Sequence, residues 1–282
     1  MTLYPIRPMQ PADVDAGMRL KAAVGWNQTA DDWRLFLRLN PDGCFVATHE
    51  GEVIGTVTSL NYENAVAWIS MVLVDPTFRR QGIGTQLVQA VIDSLSGCQI
   101  IGLDATLAGQ NLYQSLGFAP ESGLKRFVNT CVTRFYSTST IVLLTQDRLA
   151  PAANQDRQAF GASRHDLLHC LASRCPDLAL LRQRSSQPAG FCLGRDGARY
   201  AQIGPLVAET LDDAIALCSA ALANLSEQAA LIDVPDAQAE FRAWLETQGF
   251  FEQRSFLRMY FGNNRPTGNL SYQFAIAGPE LG

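Results

Sequence analysis

Apolar residues follow two rhythms along this chain. The runs VIGTVT at 53–58 and WISMVLV at 68–74 are short and rich in β-branched or large apolar side chains, and they predict buried strands. Leu87, Val88, Val91, Ile92 and Leu95 recur at spacings of three and four, which predicts a helix with one buried face. Upstream, residues 5–8 predict an opening strand, and a helix is expected from Pro11 through Met18, Leu20 and Ala23. Thr29 begins a cap-like start to a second helix through Leu35, Phe36 and Leu39. Residues 43–48 pair in expectation with 53–58 across a glycine turn at Gly51, and residues 99–103 predict a further strand.

Between the strand at 68–74 and the next helix stands DPTFRRQGIGTQL, residues 75–87. Gly82 and Gly84 there let the backbone curl and aim N–H groups outward at the positive end of a helix dipole, an arrangement that suits an anion. The spacing is neither G-x-G-x-x-G nor G-x-x-x-x-G-K-S/T. It is Arg79-x-x-Gly82-x-Gly84, and here the sequence resembles the GCN5-related N-acetyltransferase (GNAT) superfamily, whose R/Q-x-x-G-x-G/A turn cradles the pyrophosphate of acetyl-coenzyme A. A second motif agrees: Leu112, Tyr113, Leu116, Gly117 and Phe118 match the family's L-Y-x-x-L-G-F, and Gly117 is a good left-handed helix terminator. The resemblance covers about residues 4 to 130.

The resemblance implies a set of roles. Val72, Leu73 and Val74 are expected to line the pantetheine arm, with an N–H facing the thioester oxygen. Arg79, Arg80, Gln81, Gly82, Ile83, Gly84 and Thr85 are expected to hold the pyrophosphate, and Thr106 stands where the family often has an asparagine. Tyr113 is the expected general acid toward the departing thiolate. A general base is not marked: Asp104 and Glu63 are candidates, as is a water positioned by Ser70.

Composition narrows the partners. The 282 residues suffice for two domains, and 47% hydrophobic content supports ample cores. A formal charge of −5 and a pI near 5.2 argue against nucleic acid. No apolar run approaches a membrane span and the amino terminus shows no signal-peptide core, so a cytoplasmic protein without a membrane partner is expected. Seven cysteines without C-x-x-C read as thiols of a reducing compartment. His165 and His169 lie four apart with no third ligand at a recognisable spacing, so no metal is expected.

The second half repeats the first in degraded form. Residues 190–207 parallel 55–74, and FRAWLETQGF at 241–250 parallels the stretch ending at Phe118, with Val207 standing 133 residues after Val74. At that offset Arg79 and Arg80 fall on Asp212 and Asp213 and Gly82 and Gly84 on Ile215 and Leu217, while at the 132 residues that separate Gly117 from Gly249 Tyr113 falls on Leu245. Carboxylates and bulky side chains there oppose a pyrophosphate. A polar stretch at 136–140 suggests the boundary.

The expected fold is therefore α/β (α+β), two tandem GNAT-like domains, each a mixed and mostly antiparallel central sheet flanked by helices. Residues 1–137 form the expected catalytic domain binding acetyl-CoA, and 138–282 a degenerate copy. The expected function is N-acetyl transfer from acetyl-CoA to a primary amine of a small molecule, by direct attack in a ternary complex. The alternative is a non-catalytic acyl-CoA-binding sensor or interaction module.

Overall fold

The computed structural model describes residues 4–133, 135, 137, 140–184 and 187–282. Contacts divide it into two units: Met1–Glu121 with Met259–Arg265 and Leu281, and Ser122–Arg258 with Pro266–Glu280 and Gly282. The boundary expected at 137/138 falls after strand β6 (Phe118–Asn129), whereas the contacts divide the chain within that strand. Of the expected linker at 136–140, Tyr136, Thr138 and Ser139 lie outside the described residues.

In the first unit, β1 (Ile6–Pro8), β2 (Phe45–His49), β3 (Glu52–Tyr62) and β4 (Val66–Val74) form an antiparallel meander. β5 (Ile100–Thr106) joins β4 in parallel, as a helical crossover through α3 (Ile83–Ser94) requires. Helices α1 (Val14–Ala23) and α2 (Ala30–Leu39) lie between β1 and β2, and α2 opens with a reciprocal cap between Thr29 and Asp32. Trp33, Phe36, Trp68, Leu87, Val88 and Val91 are buried, so the predicted apolar stripe of α3 faces the core.

The second unit repeats this order. β7 (Ile141–Leu143), β8 (Leu180–Arg184), β9 (Gln187–Arg195) and β10 (Ala201–Ala208) are antiparallel neighbours, and β11 (Ala230–Pro235) is parallel to β10. β6 pairs antiparallel with β11 from Leu124 to Asn129, which is why the compact division cuts through it. Helices α5 (Leu149–Phe160), α6 (His165–Arg174), α7 (Leu211–Asn224) and α8 (Ala239–Thr247) belong to this unit, with α4 (Gln110–Ser115) in the first. Strands β12 (Phe251–Phe261) and β13 (Gln273–Ala275) complete the element order. Among the described residues no helix is long and apolar enough to cross a membrane.

The helix α7 corrects one expectation. The eight residues between β4 and α3 are cut to two between β10 and α7, so Asp212, Asp213, Ile215 and Leu217 all lie inside a helix. The positions that match the phosphate turn are taken up by the first turns of α7, so no such turn forms there. Thr210 caps α7 by accepting from the Asp213 N–H at 3.3 Å, a local reason for the early start.

Candidate active site

Three features of the first unit converge on one end of β4. The first is a bulge: Thr58 pairs with Ser70 and Thr56 with Leu73, so Met71 and Val72 together oppose Val57. Met71 takes a left-handed φ of 51°, a conformation that costs a side-chain-bearing residue about 1–3 kcal/mol. The Thr56 hydroxyl holds the bulge by donating to the Met71 carbonyl at 2.8 Å. Next to it Ser70 is buried, its hydroxyl 3.0 Å from that of Thr58, which leaves a hydroxyl capacity for further bonds.

The second feature is a split between strands. The β4–β5 ladder runs only from Val66↔Ile100 to Trp68↔Gly102, so β4 continues past the bulge without β5 beside it. Gly102 permits the close packing there, since a Cβ on it would lie 2.6 Å from the Trp68 ring. Val72 and Val74 are half-buried on this free stretch, and Leu73 is buried. On β5, Asp104 and Thr106 are half-buried while Leu103 and Ala105 are buried, as strand alternation dictates. Asp104 already has a partner within the fold.

The third is the turn itself. Arg80 at φ 63° and Gly82 at φ 84° are both left-handed, and Gly82 caps the amino end of α3. Alternating hands of this kind form a concave nest of backbone N–H groups. Arg79, Arg80, Gln81 and Thr85 are exposed, Gly82 and Gly84 half-buried and Ile83 buried. The Arg79 Nε donates to the Val74 carbonyl at 3.2 Å, and Gln81 accepts from the Tyr4 hydroxyl at 2.5 Å. Asp75 steadies the strand end, accepting from Thr77 and from Arg19.

Helix α4 closes on the turn at Gly84, where a Cβ would lie 3.3 Å from Leu112 Cδ2 and 3.9 Å from Val74 Cγ2. The two sequence motifs, 28 residues apart, therefore meet in space. Tyr113 follows Leu112, stands edge-on to Phe118 at 6.0 Å, and is half-buried; burial pushes its phenol above the usual range. Glu63, by contrast, is exposed in the β3–β4 hairpin turn at φ 57°. From Val66 to Met71 the strand spans about 17 Å at 3.3 Å per residue, which removes Glu63 from the bulge.

Sequence reasoning missed the bulge and Gly109, whose Cβ would lie 2.8 Å from the Tyr113 ring. His165 and His169 are exposed on α6, and among the described residues no group of three or more His, Cys, Asp or Glu side chains is placed to hold a metal.

Family comparison agrees with this geometry. The acetyltransferase (GNAT) family model matches residues 18–118, and an acetyltransferase (GNAT) domain model matches residues 152–275. The chain belongs to the GNAT acetyltransferases. As a GNAT protein with two such domains it is an acyltransferase that draws on acyl-coenzyme A. Over 263 residues it is 25% identical to the holothin acyltransferase of a Pseudoalteromonas species, covering 92% of this chain and 88% of that protein. Over 103 residues it is 32% identical to N-alpha-acetyltransferase 30 of Dictyostelium discoideum, covering 34% of this chain and 56% of that one. In fold it is similar to a crystal structure from Pyrococcus horikoshii, also described as an acetyltransferase, with a TM-score of 0.85, 22% identity, and coverage of 100% and 98%.

Proposed function

We propose that this GNAT protein transfers the acetyl group of acetyl-coenzyme A to a primary amine of a small molecule, by direct attack in a ternary complex. The observation that carries the reading is the free edge of β4 beyond its bulge, ending at the strained turn of Arg80 and Gly82. A pantetheine arm is an amide-bearing chain that can pair with such an edge, and the diphosphate that follows it suits the turn. Arg80 and Arg79 add charge-assisted contacts there.

In this reading the uncharged amine nitrogen attacks the thioester carbon. A backbone N–H of Val72–Val74 stabilises the resulting oxyanion, an effect worth about 3–4 kcal/mol per donor. The carbon–sulfur bond then breaks, and the thiolate takes the Tyr113 proton. The nitrogen releases its proton to water held near Ser70 or to Asp104. Thr106 bonds the pantetheine amide.

The full-length similarity to holothin acyltransferase favours an acceptor of the kind that relative takes, because the N-alpha-acetyltransferase similarity spans only 34% of the chain. The test is thiol release from acetyl-coenzyme A with a panel of small amines and, separately, peptides with free amino termini. Turnover with small amines is expected. Turnover with peptides alone would reassign the acceptor, and tight coenzyme binding without any release would favour the sensor.

A further inference from the structure

The second unit carries a cleft of the same construction. Ile203 pairs with Gly194 and Leu206 with Cys192, so Gly204 and Pro205 oppose Leu193 as Met71 and Val72 oppose Val57. Leu206 and Val207 thus stand at the positions of Leu73 and Val74. The β10–β11 ladder likewise ends short of them, at Ile203↔Ile232.

Here the free edge is taken by the chain itself. β13 pairs antiparallel with β10 at Leu206↔Ala275 and Val207↔Gln273, and the Ile276 N–H donates to the Asp233 carbonyl of β11 at 3.0 Å. The segment therefore bonds to both walls of the split. Gly204 makes room: at φ 144° its Cβ would lie 2.0 Å from the Ile276 carbonyl oxygen, so the methionine of the first bulge could not stand there. At the start of α7 the anion is also internal. The Asp213 carboxylate is buried and paired with Arg182 at 3.0 Å and with Arg184.

We propose that residues 273–276 are an internal stand-in for the coenzyme's pantetheine arm. They keep the second cleft filled, and the chain takes up one acyl-coenzyme A, in its first unit. The stoichiometry rests on the reading of the first cleft given above; the filling of the second does not.

Amide hydrogen exchange with residue resolution tests it. N–H direction alternates along a strand, so of Leu206 and Val207 one amide faces β9 and the other β13. The β13-facing amide is expected to exchange slowly in the coenzyme-free protein and to be unchanged by saturating coenzyme A. Its counterpart at Leu73 or Val74 is expected to slow by about tenfold or more on addition. Ala275→Pro, which stiffens and distorts β13, and Gly204→Ala, which pushes Ile276 away, should each speed exchange at 206–207 while coenzyme affinity stays within about twofold. Fast exchange of that amide in the unmodified protein, added protection from coenzyme, or two equivalents bound by calorimetry would overturn the proposal. Zero equivalents would refute the first-unit cradle and the stoichiometry, while exchange at 206–207 still judges the strand; and should both variants fail to fold, the unmodified protein decides.

Discussion

Gly109→Ala probes the Tyr113 hydroxyl without removing it. Gly109 has φ −91° and ψ −18°, which alanine adopts freely, so the backbone is not strained by the change. The new methyl carbon would lie 2.8 Å from Tyr113 Cε2, and carbon pairs prefer about 3.5 Å or more, so the ring edge must move by about 0.7 Å. Phe118 stands against the same ring and limits where it can go. Misplacing a reacting group on this scale costs up to about 10²-fold, so kcat is expected to fall by about 10- to 100-fold with coenzyme affinity unchanged. Tyr113→Phe should cost about 10²- to 10⁴-fold. The double variant should be no slower than Tyr113→Phe, because ring displacement matters only through the hydroxyl. Because burial raises the phenol, its proton is held across neutral pH, and any fall in rate from its loss should come only above about pH 10. The assay is steady-state thiol release with an amine that supports turnover, with calorimetry for coenzyme. A wild-type kcat in Gly109→Ala, or in Tyr113→Phe, would refute the acid role.

Other consequences can be checked separately. Gly82→Glu puts a carboxylate into the nest at a left-handed position; coenzyme affinity is expected to drop by about 10²-fold or more while circular dichroism stays native, and undiminished affinity would count against the cradle. In the second unit Arg126 donates to both Asp233 oxygens, at 2.7 and 2.9 Å, inside the core. Asp233→Asn removes the carboxylate that is hydrogen-bonded to that guanidinium and should cost about 3–5 kcal/mol by urea titration. Arg7, by hydrogen bonds of 2.7 and 2.8 Å, together with the Gln10 N–H, holds the Asp13 carboxyl below the usual range. That stability is present above about pH 4 and is lost as pH falls through the folded value; Asp13→Asn should flatten the acid side of the stability profile, and an unchanged profile would remove the pair from the account.

The elements that could be read from the chain are those with local causes. The apolar runs of β3 and β4, the three-and-four stripe of α3, the cap at Thr29 and the terminator at Gly117 each depend on neighbours within a turn or two, and all four are where they were expected. The glycine turn was legible because Gly82 has no Cβ, a property that holds before any folding. The 133-residue repeat was legible too, since duplication leaves its mark on residue order, and the two bulges fall at that same offset.

Tertiary structure decided the rest. Nothing local marks Met71 as left-handed; the bulge exists because β3 supplies one residue against two and Thr56 anchors the carbonyl. By offset Asp212 and Asp213 fall on the phosphate turn, while the Thr210 cap draws both into the first turn of α7. β13, three residues long, has no alternation of its own to announce it, and becomes a strand only because β10 offers an edge. The meeting of Gly84 with Leu112 likewise depends on how packed elements approach one another, whereas Gly109, the cap of α4, and the Tyr113 ring are neighbours one turn apart. Sequence determined which pieces form; contacts between distant pieces determined which strand edge stays open for a ligand and which the chain keeps for itself.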